Sequence, residues 1–261
     1  MLLRIAHPTP LLRGRFRARY DRFIAEIDLD SGERIRAHCV NPGRMEGIVR
    51  PGARAWVSKA PPERKRKLAY TWELVDDQGL LMGANTVAPN QIVETLLRAR
   101  VLSGLKRYRN LRREVRYAEG SRADFLLEGS RPHFVEVKNC HLVYPDGRGY
   151  FPDSVSARAA HHMEALAEAR HDGAKCTVVF VVQRPDARAV RPSRLHDPNF
   201  AEAAWEAWRA GVRFRALRVR VTPKAYEVLD EIPAELRRYD ASRLVPWRAE
   251  KLPYSGWIRS R

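Results

Sequence analysis

The sequence predicts an α+β protein of two domains, a small closed β-barrel followed by an α/β domain with a mixed sheet. Three observations carry that prediction. Residues 13–86 contain only short apolar stretches, several strictly alternating, separated by Gly and Pro. Helical spacing of apolar residues first appears after Thr86-Val-Ala-Pro-Asn90, in Ile92, Val93, Leu96, Leu97 and Val101. From there the order is helix, three strands, helix, strand, helix, strand, the pattern of crossover helices packed on a sheet. The expected boundaries are a barrel over 1–86, an α/β domain over 87–232 and a basic C-terminal tail over 233–261.

In the first domain, Arg15-Phe-Arg-Ala-Arg-Tyr20 alternates basic and apolar residues, and Phe23 to Leu29 continues as strand. Asp30-Ser-Gly-Glu33 supplies a hairpin turn into Arg34 to Val40. Ala53 to Lys59, Tyr70 to Val75 and Leu80 to Ala84 follow, with Asp77-Gln-Gly79 as a turn. Barrels of this size include the OB-fold, the commonest that handles nucleic acid, and SH3-like forms; periodicity alone does not separate them. The run Glu63-Arg64-Lys65-Arg66-Lys67 lies beside Tyr70 and Trp72, and cations next to aromatics suit phosphate attraction with base stacking. A solvated loop leading into a strand whose Trp72 is core explains the same residues.

In the second domain, Asn90 is placed to cap a helix over Gln91–Val101. Leu111 to Tyr117 reads as strand, then Ala123 to Glu128 and His133 to Lys138 form a hairpin about Gly129-Ser-Arg-Pro132. A helix from Asp153 or Ser154 to Arg170 is stopped by Gly173. Lys175 to Gln183 is a buried strand, His196 to Ala210 a helix ended by Gly211, and Val212 to Val221 a strand. The tail holds Trp247, Tyr254 and Trp257 with little periodicity, which fits either a segment wrapping the body or a loose one.

Composition narrows the function. Lys and Arg number 48 against 31 Asp and Glu, a net charge of +17. A genome that favours Arg over Lys explains the choice of cation but not the excess, so a polyanion is the expected partner: DNA first, with single-stranded nucleic acid or RNA also open. No membrane association is expected, because the longest apolar run, Thr177 to Val182, is too short to span a bilayer. Met1 to Ala6 lacks the apolar core of a secretion signal. Cys39, Cys140 and Cys176 are odd in number and form no CxxC pair, which points to a reducing, cytoplasmic setting.

The chemistry lies in the hairpin. Side chains alternate along a strand, so Glu136 and Lys138 share one face. A hairpin symmetric about Ser130 sets Asp124 opposite Glu136 and Arg122 opposite Lys138. Two facing carboxylates repel by up to roughly 1 kcal/mol unless a cation sits between them. The spacing is that of the PD-(D/E)XK nuclease pattern, with Ala123 in place of the leading Pro. In such a site Asp124 and Glu136, with Glu114 as a third acid, would hold Mg²⁺ or Mn²⁺, and Lys138 would assist the attacking water. A salt-bridged strand face is the alternative, since acid-x-Lys is frequent in strands. Arg158, His161 and His162 lie within one helical turn and could face a phosphate, whereas adjacent His161 and His162 diverge by about 100° and make a poor metal pair.

Several segments together resemble the sugar fermentation stimulation protein A family: Arg19-Tyr-Asp-Arg-Phe23, Ala37-His-Cys-Val-Asn-Pro-Gly-Arg-Met45, Arg66-Lys-Leu-Ala-Tyr-Thr-Trp-Glu-Leu74, Glu114-Val-Arg-Tyr117, Ser121-Arg-Ala-Asp-Phe125, Val135-Glu-Val-Lys-Asn139 and Tyr150-Phe-Pro-Asp153. The resemblance implies an OB-fold followed by a nuclease-like domain. It also implies DNA binding largely without sequence preference and a regulatory role in maltose and other sugar metabolism. By that resemblance Asp124, Glu136 and Lys138 fall on the nuclease-like positions. The chain departs from the family at Ala157-Arg-Ala-Ala-His-His162, where Glu-Arg-Gly-Gln-Lys-His is usual, and its tail runs past the usual end. The Gln and Lys of that helix are absent, which bears on catalysis more than on binding.

Overall fold

A computed structural model describes residues 1–61, 63, 66–252 and 256–259. After β1 (Leu3–Ala6), the barrel strands are β2 (Leu12–Tyr20), β3 (Ile24–Leu29), β4 (Arg34–His38), β5 (Arg54–Lys59), β6 (Tyr70–Asp77) and β7 (Leu80–Gly83). Antiparallel pairing links β4 to β3, β3 to β2, β2 to β5 and β5 to β6. A short parallel pairing of β4 with β6 closes the ring, and β7 adds a hairpin to β6. This is the small closed barrel that the alternation predicted, of the OB type that the family resemblance implied. Inward residues Phe16, Ile27, Ile35, Val57 and Val75 fill it with Trp72, which is fully buried and stacked on Phe16 at 4.8 Å. Trp72 is therefore core.

The second domain begins with α1 (Ala88–Arg98), then β8 (Asn110–Ala118), β9 (Ser121–Glu128), β10 (His133–Cys140) and β11 (Arg148–Phe151). It continues through α2 (Ala157–His171), β12 (Lys175–Val182), β13 (Ala189–Pro192), α3 (Pro198–Arg209), β14 (Arg213–Val221), β15 (Ala225–Ile232) and α4 (Val245–Lys251). The main sheet has the order β1-β15-β14-β12-β10-β9-β8, and it is mixed. β10, β12 and β14 run parallel, joined by crossover helices, while the outer pairings are antiparallel. Helix α1 covers one face with Ile92, Val93, Leu96 and Leu97 against Val135, Val179 and Leu217. Helices α2 and α3 cover the other with Met163, Leu166 and Phe200 against Val178 and Phe180. Each such fully buried side chain contributes roughly 1.5–3 kcal/mol.

Two elements depart from the sequence expectation. Residues Leu3–Ala6 pair with β15 in the second sheet and not with the barrel, so Leu3 and Ile5 cover the apolar edge that β15 would otherwise expose. Helix α2 starts at Ala157, later than Asp153 or Ser154, because Ser156 caps it through Ala159 N while the Asp153 carboxylate is bound by Met45 N of the barrel loop. The tail wraps the body: Trp247 packs on Tyr144, Leu252 approaches Gly47, and Trp257 lies under the guanidinium of Arg22 at 4.5 Å. Among the described residues no helix is long and apolar enough to cross a membrane.

The two domains are clasped by buried polar contacts. Glu46 of the barrel side accepts from His196 Nε2 at 2.5 Å and from Arg248 Nε at 2.7 Å. His196 is in turn fixed by Ser193 Oγ on Nδ1. Burial works against the Glu46 charge, but His196 and then Arg248 outweigh it and hold the carboxyl below its usual range. With relative exposures of 3% for Glu46 and 6% for His196, this cluster is a tie between domains and not an open site.

Candidate active site

β9 and β10 pair in the register Leu127–His133, Leu126–Phe134 and Phe125–Val135. One step further, that register places Asp124 opposite Glu136, as symmetry about Ser130 predicted. There the ladder stops, because the side chain of Asp124 takes the place of a backbone partner. Asp124 Oδ2 accepts from Val137 N at 2.7 Å, and Oδ1 accepts from Asn90 Nδ2 of α1 at 2.7 Å. The strands part beyond this point, so Arg122 never meets Lys138. It pairs in the backbone with Arg116 of β8 and ion-pairs with Glu114 at 2.8 Å.

Glu136 and Lys138 share a face, as strand alternation requires, and both are buried. Glu136 Oε1 accepts from Lys138 Nζ and from His162 Nδ1, each at 2.7 Å. Its Oε2 is buried with no hydrogen-bond partner. Arg158 Nε lies 3.5 Å from His162 Nε2 on the outer side of the ring. That network assigns the imidazole proton to Nδ1, facing Glu136, when the ring is neutral.

Electrostatics divides the acids. Burial, and then the charge of Glu136, push the Asp124 carboxyl up to about 6. The Val137 amide, Lys138 and Asn90 oppose that rise without cancelling it. For Glu136 burial also favours the neutral form, but Lys138 and His162 outweigh it and hold its carboxyl below the usual range. A buried acid and a half-buried one, with Lys138 and His162 both turned to Glu136, leave Asp124 without a cation of its own.

The structure therefore brings together Asp124, Glu136 and Lys138 and leaves out other expected members. Glu114 has a left-handed backbone (φ 54°), is exposed and is engaged by Arg122, so it does not join the pair as a third acid. His161 points outward, 3.3 Å from Glu119 O and 3.7 Å from the Glu164 carboxylate, while Arg158 stands at the rim. Of the basic loop, Arg66 and Lys67 are exposed; Arg64 and Lys65 lie outside the described residues. Sequence reasoning missed His162 and Asn90 as partners of the acids. His162 falls on the inward face of α2 with Ala159, Met163 and Leu166, a spacing that was readable. Asn90 looked like a cap, but α1 starts two residues earlier, which turns its amide toward β9.

Among the described residues no three His, Cys, Asp or Glu side chains converge as a metal group. Two carboxylates, one with a buried partnerless oxygen, match a hard cation that keeps several of its waters, as Mg²⁺ does.

Comparison with known proteins agrees with this architecture. Residues 18–83 match the family model described as the SfsA N-terminal OB domain, and residues 87–225 match the sugar fermentation stimulation protein RE domain. A sugar fermentation stimulation protein homolog of Maricaulis maris is 42% identical over 231 residues, covering 88% of this chain and 98% of the relative. Another, from Methylobacterium radiotolerans, is 45% identical over 230 residues, covering 86% and 96%. The solved structure of Pyrococcus furiosus SfsA in complex with Ca²⁺ superposes with a TM-score of 0.82 at 27% identity, covering 89% of this chain and 99% of that one. With both domains matched by family models and nearly the whole of each relative covered, the chain belongs to the sugar fermentation stimulation protein family.

Proposed function

We propose that the protein is a cytoplasmic DNA-binding protein whose α/β domain holds a divalent cation, Mg²⁺ or Mn²⁺, at Asp124 and Glu136 for phosphodiester hydrolysis. The observation that carries this reading is the buried, partnerless Oε2 of Glu136 beside an Asp124 whose carboxyl is pushed up to about 6. The charge of +17 supports binding to a polyanion largely without sequence preference, and the relative solved with Ca²⁺ supports a cation on this fold. A bound cation would neutralise charge on the scissile phosphate and acidify a water. The chain's own residues supply the rest. His162 orients Glu136, Lys138 places a positive charge one strand step from it, and Arg158 at the rim can take a phosphate. A regulatory role in sugar metabolism, maltose included, would act through the same DNA binding.

DNA binding without cleavage is the second reading. Lys138 Nζ is engaged by Glu136 Oε1, and Ala160 stands where the family usually has Gln, so the acid–lysine pair also makes sense as a buried ion pair. Incubating purified protein with single- and double-stranded DNA and RNA, in Mg²⁺, Mn²⁺ or EDTA, separates the two. Metal-dependent cleavage lost in both Lys138→Ala and Asp124→Asn supports hydrolysis. Salt-sensitive binding with no cleavage in any metal leaves the DNA-binding half standing and removes the enzyme.

A further inference from the structure

A wide cavity on the barrel does not lie over the acid pair. It is a groove of about 1230 Å³ on the barrel, and it runs to the start of α1 at Gln91, next to the Asn90 that holds Asp124. Small-molecule pockets usually measure about 300–1,000 Å³, so this one has room for part of a polymer. Its chemistry is sorted by depth. Arg36, Lys59 and Lys67 are exposed on the rim. Phe23, 46% exposed although large and apolar, forms part of the wall. Glu73 lies half-buried among the lining residues, and its carboxylate is oriented from both sides: Ser58 Oγ donates to Oε1 at 2.6 Å and Asn85 Nδ2 to Oε2 at 2.8 Å.

Rim cations attract phosphates, whereas a carboxylate within the groove repels them. A nucleic acid seated here must keep its backbone at the rim and turn its bases inward, which a paired duplex cannot do. An exposed aromatic wall offers a stacking surface for an unpaired base. The carboxylate then selects among base edges. Each Glu73 oxygen has used one acceptor position, leaving others for N–H donors. Cytosine and adenine present an exocyclic amino group, and guanine presents an amino and an imino N–H together. Thymine and uracil offer one N–H flanked by two carbonyl oxygens, which a carboxylate repels.

We infer that this groove binds single-stranded nucleic acid bases-inward and uses Glu73 to favour amino-bearing bases over thymine and uracil. The inference rests only on the nucleic-acid half of the proposed function, not on cleavage.

The test is fluorescence anisotropy in EDTA at physiological salt, with labelled twelve-residue oligo-deoxycytidine, oligo-deoxyadenosine and oligothymidine and an unlabelled duplex competitor. The first two should bind roughly tenfold or more tightly than oligothymidine, the duplex should compete poorly, and Glu73→Gln should shrink the base preference. Phe23→Ala, which alters an exposed side chain and so spares folding, should weaken every single strand roughly tenfold. Equal affinity for all three strands, a preference unchanged by Glu73→Gln, or a duplex that competes as well as a single strand overturns the inference while leaving DNA binding intact. Failure to bind any nucleic acid overturns both.

Discussion

Asn90 Nδ2 donates to Asp124 Oδ1 at 2.7 Å and ties the first helix of the α/β domain to the acid on β9. That amide also restrains the Asp124 carboxyl, which burial and Glu136 push upward. Asn90→Ala leaves a half-buried carboxylate oxygen without its donor and should cost about 1–3 kcal/mol. Urea denaturation at neutral pH measures it; a loss below about 0.5 kcal/mol would show that the bond carries no weight.

If Asp124 and Glu136 hold a cation, adding Mn²⁺ or Ca²⁺ should raise the melting temperature saturably. The gain is about 2.7 kcal/mol at a hundredfold excess over the dissociation constant. EDTA should reverse it, and both Asp124→Asn and Glu136→Gln should abolish it. The two variants differ without metal. Glu136→Gln strands a buried Lys138 and should destabilise by roughly 3–5 kcal/mol, whereas Asp124→Asn keeps an acceptor for Val137 N and should cost less.

The clasp at Glu46 gives a third prediction. Removing the acid with Glu46→Ala leaves His196 and Arg248 without their shared partner, at a cost of roughly 3–5 kcal/mol. Limited trypsin digestion should then release the tail, whose Trp247 and Leu252 lie on the same junction. An unchanged digestion pattern would contradict the assignment.

His133 supplies a pH dependence. Burial first, then Lys175, Arg213 and Arg215, push its imidazole from 6.5 down to about 4, while the ring bonds Thr177 Oγ1 at 2.8 Å. The folded protein thus holds His133 neutral where the unfolded chain would protonate it. Stability is complete above pH 6.5, falls as pH drops toward 4, and by then has lost about 3 kcal/mol from this residue. His133→Gln should flatten that part of the stability profile between pH 7 and 4, as read by chemical denaturation.

Much of this was legible in the sequence because local patterning and burial agree. The alternating β2 and the largely apolar, buried β12 could be read directly; the hairpin register followed only from taking Ser130 as its centre, since the two eight-residue strands by themselves centre one half-step further on. Strands β1, β11 and β13 were not legible: each has four residues and exists only because a partner distant in sequence, such as Val228 for Leu3, presents an open edge. The site was half visible. Residue type and spacing located Asp124, Glu136 and Lys138. His162 and Asn90 arrive from separate helices whose packing on the sheet is set by contacts distant in sequence, and the bond from Val137 to Asp124 interrupts a ladder that periodicity assumes to be continuous.

That interruption has an evolutionary corollary. Because the Asp124 carboxylate stands in for a missing rung between β9 and β10, replacing it would open a sheet as well as empty a site. Selection for folding alone would then preserve it, whether or not the protein cuts nucleic acid. Lys138 closes no rung, but its loss would leave Glu136 buried without its counter-charge, so folding alone holds both residues in place.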